Sequence, residues 1–518
     1  MRTKAGEKPT GRPGWRVFLS PKAEWLAVGV LIFLAALLTT HAIGDKSLWL
    51  DEGLSARIAQ LNPVDGVSAT YSTPTPGAIA FYYLLLHFWS TLSSDETWLR
   101  LLSALFAVAA IPLIYVLGNR LIGRPAGVTA ATVLALSPFV VAQGQQARPY
   151  GLVILLSTFL TLLFFSAMKG GGFRIWLLYA AAAIAGVYAH TTVAYLIAAQ
   201  GVVAGVDLIL FRRRSLAAVA GRVTAGVAIV FACIPLTGQF SAEGLAGVPG
   251  PTFQNVGVAL YRLTGGATLL AVTSVGVLAI PLFGWYWLRR GRGLEFSILM
   301  AAGIAPIALE LLVSLQRPMF IERYLTMAIP GLALVVASAV EFLATWRPTF
   351  GAAFSRRSWR SPTLVRLVAC ALIVVLSLRS VGAVYGGFEE DWRAAVETIA
   401  TQAQPGDAVV LYPPYARLPF DYYASRQSSF RDLVTIFPDV GWGQYFPASG
   451  PSLATSMSDA RQAGRVWVVY RSGDAVGEND AKLLASFLTC GKTLSDTAFQ
   501  GVRVELVDLA PCGVATER

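Results

Sequence analysis

Residues 150–168 read YGLVILLSTFLTLLFFSAM, a run with no charged side chain that is closed by Lys169. A helix needs about 20 mostly apolar residues to cross a bilayer, so this stretch reads as a transmembrane span. Further runs of the same kind lie outward from it, at about 24–43, 98–118, 126–143, 173–189, 192–211, 217–237, 267–288, 295–315, 323–345 and 364–382. The expected fold class is a membrane all-α bundle of about eleven transmembrane helices. Composition agrees. Of 518 residues, 55% are hydrophobic and 14% charged, and the mean hydropathy is +0.58. Soluble proteins carry roughly 25% charge, so a plain soluble enzyme and a disordered chain are both excluded.

Lys plus Arg number 41 against 30 Asp plus Glu, a net charge of +11. Such a balance first suggests nucleic acid. Here the basic residues sit in short clusters between apolar runs, which is how membrane topology is written, and no nucleic-acid partner is expected. Arg2, Lys4, Lys8, Arg12, Arg16 and Lys22 crowd the N-terminus, and Arg212–Arg214, Arg289, Arg290, Arg292, Arg356, Arg357 and Arg360 fall on alternate loops. This predicts a cytoplasmic N-terminus (1–23), a multi-pass domain (24–382) with a large first outside loop (44–97), and an extracytoplasmic region from about 383. The first run is expected to be an uncleaved anchor. The apolar stretch 78–92 is short, and counting it as a span would invert every later loop. It is therefore expected to be an interfacial or re-entrant helix.

The tail, 383–518, has 16 acidic and 11 basic residues and no spanning run. Its pattern predicts helices near 389–404 and 481–488 and strands near 408–412, 466–470 and 502–507, a small α/β domain. Cys233 and Cys370 fall in spans and read as packing residues. Cys490 and Cys512 fall in the tail and could pair in an oxidising compartment. No phosphate-cradling glycine loop is present, which weighs against an ATP-driven pump.

This topology gathers polar residues on one rim. Trp49-Leu50-Asp51-Glu52 opens the first outside loop, where Asp51 could alternatively cap a helix running through Arg57 and Ile58. Gln143 to Tyr150 forms a short outside turn carrying Gln146, Arg148 and Tyr150. His190 stands in a third turn. Glu322, Arg323 and Tyr324 stand in a fifth, where Glu322 and Arg323 could simply pair. Glu310 is a carboxylate inside a span and needs a partner, as a structural ion pair or as a site wall near Arg323. Arginine forks bind phosphate oxygens, and a carboxylate can take a proton from an alcohol. Together these suit transfer of a sugar from a lipid phosphate.

The same residues resemble a family. Trp49-Leu50-Asp51-Glu52 is similar to the W-x-D-E opening of the first periplasmic loop in GT-C membrane glycosyltransferases of the protein-mannosyltransferase and lipid A aminoarabinose-transferase type. Arg100 to Phe106 with Tyr115 to Leu121 resembles their second helix. Ser137-Pro138-Phe139 through Gln145-Gln146-Ala147-Arg148-Pro149-Tyr150 resembles S-P-x…S-Q-E-A-R-x-Y, and Tyr188-Ala189-His190-Thr191 resembles Y-T-H-Y. Arg323-Tyr324-Leu325 with Pro330 resembles R-Y-L…P, and Asp391-Trp392-Arg393 with Pro405-Gly406-Asp407 resembles the start of the soluble domain.

The resemblance implies a polyprenyl-phosphate-linked sugar donor and inverting transfer at the outer face of a bacterial plasma membrane. The acceptor would be an envelope glycan such as lipopolysaccharide, a glycolipid or a protein. Asp51 would be catalytic, with Glu52 and His190 supporting it or binding acceptor. Arg148 and Arg323 would bind the donor phosphate, and Gln146, Tyr150, Glu310 and Tyr324 are secondary candidates. The family often has an acid at the position of Gln146. Its H-P-P-L-Y-Y stretch is here Thr73-Pro74-Thr75-Pro76-Gly77, with Phe81-Tyr82-Tyr83 afterward. No metal and no cofactor are expected. The rival expectation is a transporter or flippase of polyprenyl-linked lipids, which would more readily show charges near the bilayer midplane.

Overall fold

A computed structural model describes residues 21–72, 80–210, 216–239, 250–278, 280–345, 361–387, 390–437, 460, 462–471 and 489–510. Among these, eight helices are long and apolar enough to cross a membrane: Lys22–Thr40, Glu96–Leu121, Tyr150–Met168, Val193–Leu210, Leu216–Leu236, Gly293–Ser314, Glu322–Thr345 and Pro362–Gly386. Arg124–Ala135 and Pro138–Gly144 make a ninth if a pair bent by 55° counts as one span. The bend falls at Ser137-Pro138. Proline lacks the N–H that would continue the helix, and the Ser137 hydroxyl accepts from the Val140 N–H to start a new one.

Each of the eleven expected runs coincides with helix, but two fall short of a span. Phe173–Ala189 has 17 residues. The 267–288 run is two shorter helices, Ala267–Leu278 and Ile280–Arg289, the second with Pro281 in its first turn, where a missing N–H costs little. Among the described residues the count by length and composition is therefore eight or nine. The 78–92 stretch forms the helix Ala80–Ser90. Its 11 residues reach only about 16 Å, too short to cross. It lies against the Leu50–Gln60 helix, where His87 Nδ1 meets the Ala59 carbonyl at 2.9 Å. Inside the bundle, small residues let helices close up. A Cβ on Gly331 would sit 2.1 Å from the Ala302 carbonyl carbon.

The C-terminal unit is a five-stranded sheet in the order β2-β1-β3-β5-β4. Its strands are β1 (Ala408–Tyr412), β2 (Val434–Phe437), β3 (Arg465–Arg471), β4 (Lys492–Phe499) and β5 (Val502–Asp508). β1 runs parallel to β2 and β3, and β5 pairs antiparallel with β3 and β4. Every residue of β1 is buried, as a strand covered on both faces requires. The expected helix near 389–404 is Trp392–Gln402, and the three expected strands are β1, β3 and β5. β2 and β4 were not foreseen, because β4 has almost no buried residues to give an apolar pattern. The expected helix at 481–488 lies outside the described residues. Cys233 and Cys370 are free thiols, and Cys490 is disulfide-bonded. Cys512 lies outside the described residues.

The sheet unit shares an apolar core with the first loop. Leu54, Tyr82 and Leu99 pack in one cluster with Trp392, Phe420 and Trp467.

Candidate active site

The Leu50–Gln60 helix has no capping side chain of its own. Trp49 precedes it in extended conformation, and Asp51 stands in its first turn rather than at the cap. The free Leu50 N–H instead donates to Glu390 Oε2 at 3.0 Å. Glu390 is gripped by Arg471 Nε at 2.6 Å and by Trp392 Nε1 at 2.6 Å. A carboxylate from the sheet unit thus caps this helix, where its N-terminal dipole favours negative charge. The Asp51 side chain is left to face Arg148.

Asp51 Oδ2 lies 3.4 Å from Arg148 Nη2. Arg148 Nη1 donates to the Asp51 carbonyl at 3.2 Å and to the Tyr83 hydroxyl at 3.0 Å. Glu52 points the other way and is 1% exposed. Arg100 forks onto it, Nε to Oε1 at 2.8 Å and Nη2 to Oε2 at 2.6 Å, and the Ala147 N–H adds a bond to Oε1 at 2.8 Å. The remaining Arg100 donors reach the carbonyls of Ile43, Lys46 and Ser47. Both Glu52 oxygens are engaged, so Glu52 ties the first loop to the Arg148 turn.

From Arg148 a continuous set of rings and cations leads to Arg323. The Arg148 guanidinium lies 5.9 Å from the Tyr150 ring centre. Tyr150 lies 5.6 Å from His190, and His190 lies 5.4 Å from Tyr324. Arg323 sits over Tyr324 at 5.9 Å and over Trp49 at 5.5 Å.

Within this set the hydrogen-bond donors outnumber the acceptors. Buried and without a hydrogen-bond partner among the described residues are Trp49 Nε1, Arg148 Nε, His190 Nε2 and Arg323 Nε, while the Tyr150 hydroxyl interacts with Arg148. His190 Nδ1 meets the Thr192 hydroxyl at 2.9 Å and the Thr192 N–H at 3.4 Å; with Nδ1 accepting from both, the ring proton is on Nε2. Burial, then the charges of Arg148 and Arg323, pull the His190 pKa down to about 3, so the imidazole is neutral. Buried donors without acceptors are costly. An acceptor-only anion is the kind of partner such donors lack.

A cavity of about 620 Å³ opens beside the cluster, its wall including Trp49, Glu52, Arg100, Gln146, Arg262 and Arg323. Asp51, Arg148 and His190 are not part of that wall. Glu322 does not pair with Arg323 but bonds Arg262 at 3.1 Å. Glu310 stands apart. It is fully buried, and neither oxygen has a hydrogen-bond or ion-pair partner among the described residues. Its charge is felt by Tyr195. The ion pair expected for Glu310 is not found among the described residues. Among the described residues no three His, Cys, Asp or Glu side chains gather as a metal-holding set.

Four contributors were missed in the sequence. Arg100 and Tyr83 hold Glu52 and Arg148, Trp49 backs Arg323, and Glu390 caps the Asp51 helix. A buried arginine at the mouth of a span is a signal of its own and could have flagged Arg100. Glu390 carries no such signal, because its partner is 340 positions away in sequence.

The family model for dolichyl-phosphate-mannose-protein mannosyltransferase matches residues 76–237. That segment holds Arg148 and His190 but neither Asp51 nor Arg323. Among solved structures, the crystal structure of ArnT from Cupriavidus metallidurans in the apo state is 13% identical with a TM-score of 0.62, covering 96% of this chain and 100% of that one. The same protein bound to undecaprenyl phosphate is 13% identical with a TM-score of 0.61, covering 95% and 99%. The apo oligosaccharyltransferase of Archaeoglobus fulgidus is 13% identical with a TM-score of 0.52, covering 87% and 70%. No curated protein matches by sequence. The class is a multi-pass membrane protein with the fold of the GT-C glycosyltransferase superfamily. Within it, the chain is similar in fold to ArnT over nearly its whole length, and in sequence to the protein-mannosyltransferase model over about a third of it.

Proposed function

We propose that this chain transfers a sugar from a polyprenyl-phosphate donor to an acceptor hydroxyl at the outer face of the plasma membrane. The acceptor is an envelope glycan, glycolipid or protein. The observation that carries this reading is the set of buried, unpaired donors between Arg148 and Arg323, with the Asp51 carboxylate at one end. The fold likeness to a protein solved with undecaprenyl phosphate supports the donor class.

In the reaction, Asp51 takes the proton of the acceptor hydroxyl. The acceptor oxygen attacks the anomeric carbon from the side opposite the phosphate, and the bond from that carbon to the phosphate oxygen breaks. The anomeric centre inverts, and polyprenyl phosphate leaves with the electron pair. Arg323, Arg148 and His190 Nε2–H donate to its oxygens as charge builds there, in a water-poor site where such donors act strongly. Glu52 and Arg100 hold the frame. The basic clusters on alternate loops support an N-terminus inside and a sheet unit outside, and the bonded Cys490 in that unit suits an oxidising compartment.

The test uses the purified chain in nanodiscs with a panel of polyprenyl-phosphate sugars and an envelope lipid extract, followed by mass spectrometry. Donor loss with a new glycosylated product is expected, and Asp51→Asn should lower the rate about 10²- to 10⁴-fold, the usual weight of a general base. Full transfer by Asp51→Asn would remove Asp51 from the chemistry. Donor crossing the bilayer with no product would make the chain a flippase.

A further inference from the structure

The Glu96–Leu121 helix marks the two ends of the bundle. Its first residue, Glu96, meets Arg393 and Tyr423 of the sheet unit. At its other end, about 39 Å away at 1.5 Å per residue, the carbonyls of Leu121 and Ile122 accept from Arg292 at 2.5 and 3.4 Å. That far end also holds the close of the Ile280–Arg289 helix, which runs Trp285-Tyr286-Trp287-Leu288-Arg289-Arg290.

Three guanidiniums there each lie over a ring. Arg289 covers Trp285 at 4.1 Å, Arg290 covers Tyr286 at 4.1 Å, and Arg292 covers Trp287 at 4.7 Å. Arg292 is engaged by its two carbonyls and by Glu295 at 3.7 Å. Arg289 and Arg290 are exposed, and their guanidiniums have no hydrogen bond or ion pair among the described residues. The neighbouring acids are taken. Glu295 pairs with Lys169 at 2.8 Å, and Glu341 receives the Arg366 fork at 2.9 and 2.6 Å. Arg290 shares a crevice with Ser338, a residue 1% exposed whose hydroxyl has no partner among the described residues. Leu282, Trp285 and Leu288 on the same helix are each more than half exposed, the mark of a surface covered by acyl chains.

We propose that this helix end binds the phosphate of an anionic phospholipid from the surrounding bilayer, with Arg289 and Arg290 as adjacent forks. The two cations are surplus, and a phosphodiester is the anion the bilayer supplies at that depth. A guanidinium plane matches two phosphate oxygens. Stacking on Trp285 and Tyr286 fixes those planes beforehand, so less side-chain freedom is lost on binding. The exposed apolar neighbours place the forks at the bilayer edge, which selects a lipid over a free anion.

The test is native mass spectrometry of the purified chain with equal amounts of phosphatidylglycerol and phosphatidylcholine of matched acyl chains. The wild type should retain phosphatidylglycerol preferentially. R289Q/R290Q should lose that preference by about fivefold per arginine, with unchanged thermal unfolding and sugar transfer. R289K/R290K should fall between the two. An R289Q/R290Q variant as selective as the wild type would overturn the site. A lysine pair equal to the wild type would overturn the stacked forks. Release of the lipid by millimolar inorganic phosphate would overturn the choice of a lipid.

Discussion

Gly53 and Pro419 are in backbone contact: a Cβ on Gly53 would stand 2.6 Å from the Pro419 nitrogen. The helix bearing Asp51 therefore rests directly on the Arg417–Ala424 helix of the sheet unit. Gly53→Val should push the two apart at a cost of about 1–3 kcal/mol, as overpacking does. It should also lower transfer, because Asp51 moves with its helix. Thermal unfolding and the transfer rate of the purified variant check this. Wild-type values of both would show that the contact yields freely.

Glu52→Gln strands the Arg100 guanidinium, 2% exposed, without its counter-charge. Breaking one half of a buried pair costs roughly 3–5 kcal/mol. The variant should unfold several degrees lower, which differential scanning fluorimetry would read. A paired Glu52→Leu, Arg100→Met variant should recover part of the loss.

His190 acts through a neutral Nε2–H, so it should leave no mark on the pH profile. With its pKa at about 3, the ring gains charge only as pH falls through that value and stays neutral above it. His190→Ala should reduce transfer roughly 10²-fold, the weight of one donor to a developing anion. Its profile from pH 5 to 9 should keep the wild-type shape at lower height. A limb near pH 6 that is present in wild type and absent from the variant would contradict a neutral ring. His190→Gln, which retains an N–H, should recover part of the rate.

Glu310 is the opposite case, a buried carboxyl that nothing among the described residues satisfies. Burying such a group unpaired costs about 1–3 kcal/mol. Glu310→Met, close in volume and apolar, should raise the unfolding temperature and leave transfer unchanged. A loss of transfer at undiminished stability would give Glu310 a part in the reaction.

The sequence determined the membrane class by itself, because a bilayer demands long apolar runs and these are local patterns. The same holds for β1, β3 and β5, whose buried residues are contiguous in sequence. Asp51, Arg148, His190 and Arg323 were legible as a group because topology alone puts the ends of alternate spans on one rim. Tertiary structure decided which of them meet and how. Glu322 turned to Arg262 instead of Arg323, and Glu52 was enclosed by Arg100 while its neighbour Asp51 was left facing Arg148. The capping of Leu50 by Glu390 and the Gly53–Pro419 contact were decided there too. Each depends on a direction or a distance between residues far apart in the chain. Apolar periodicity reports which face a residue takes on its own helix, but not which partner the fold brings to it.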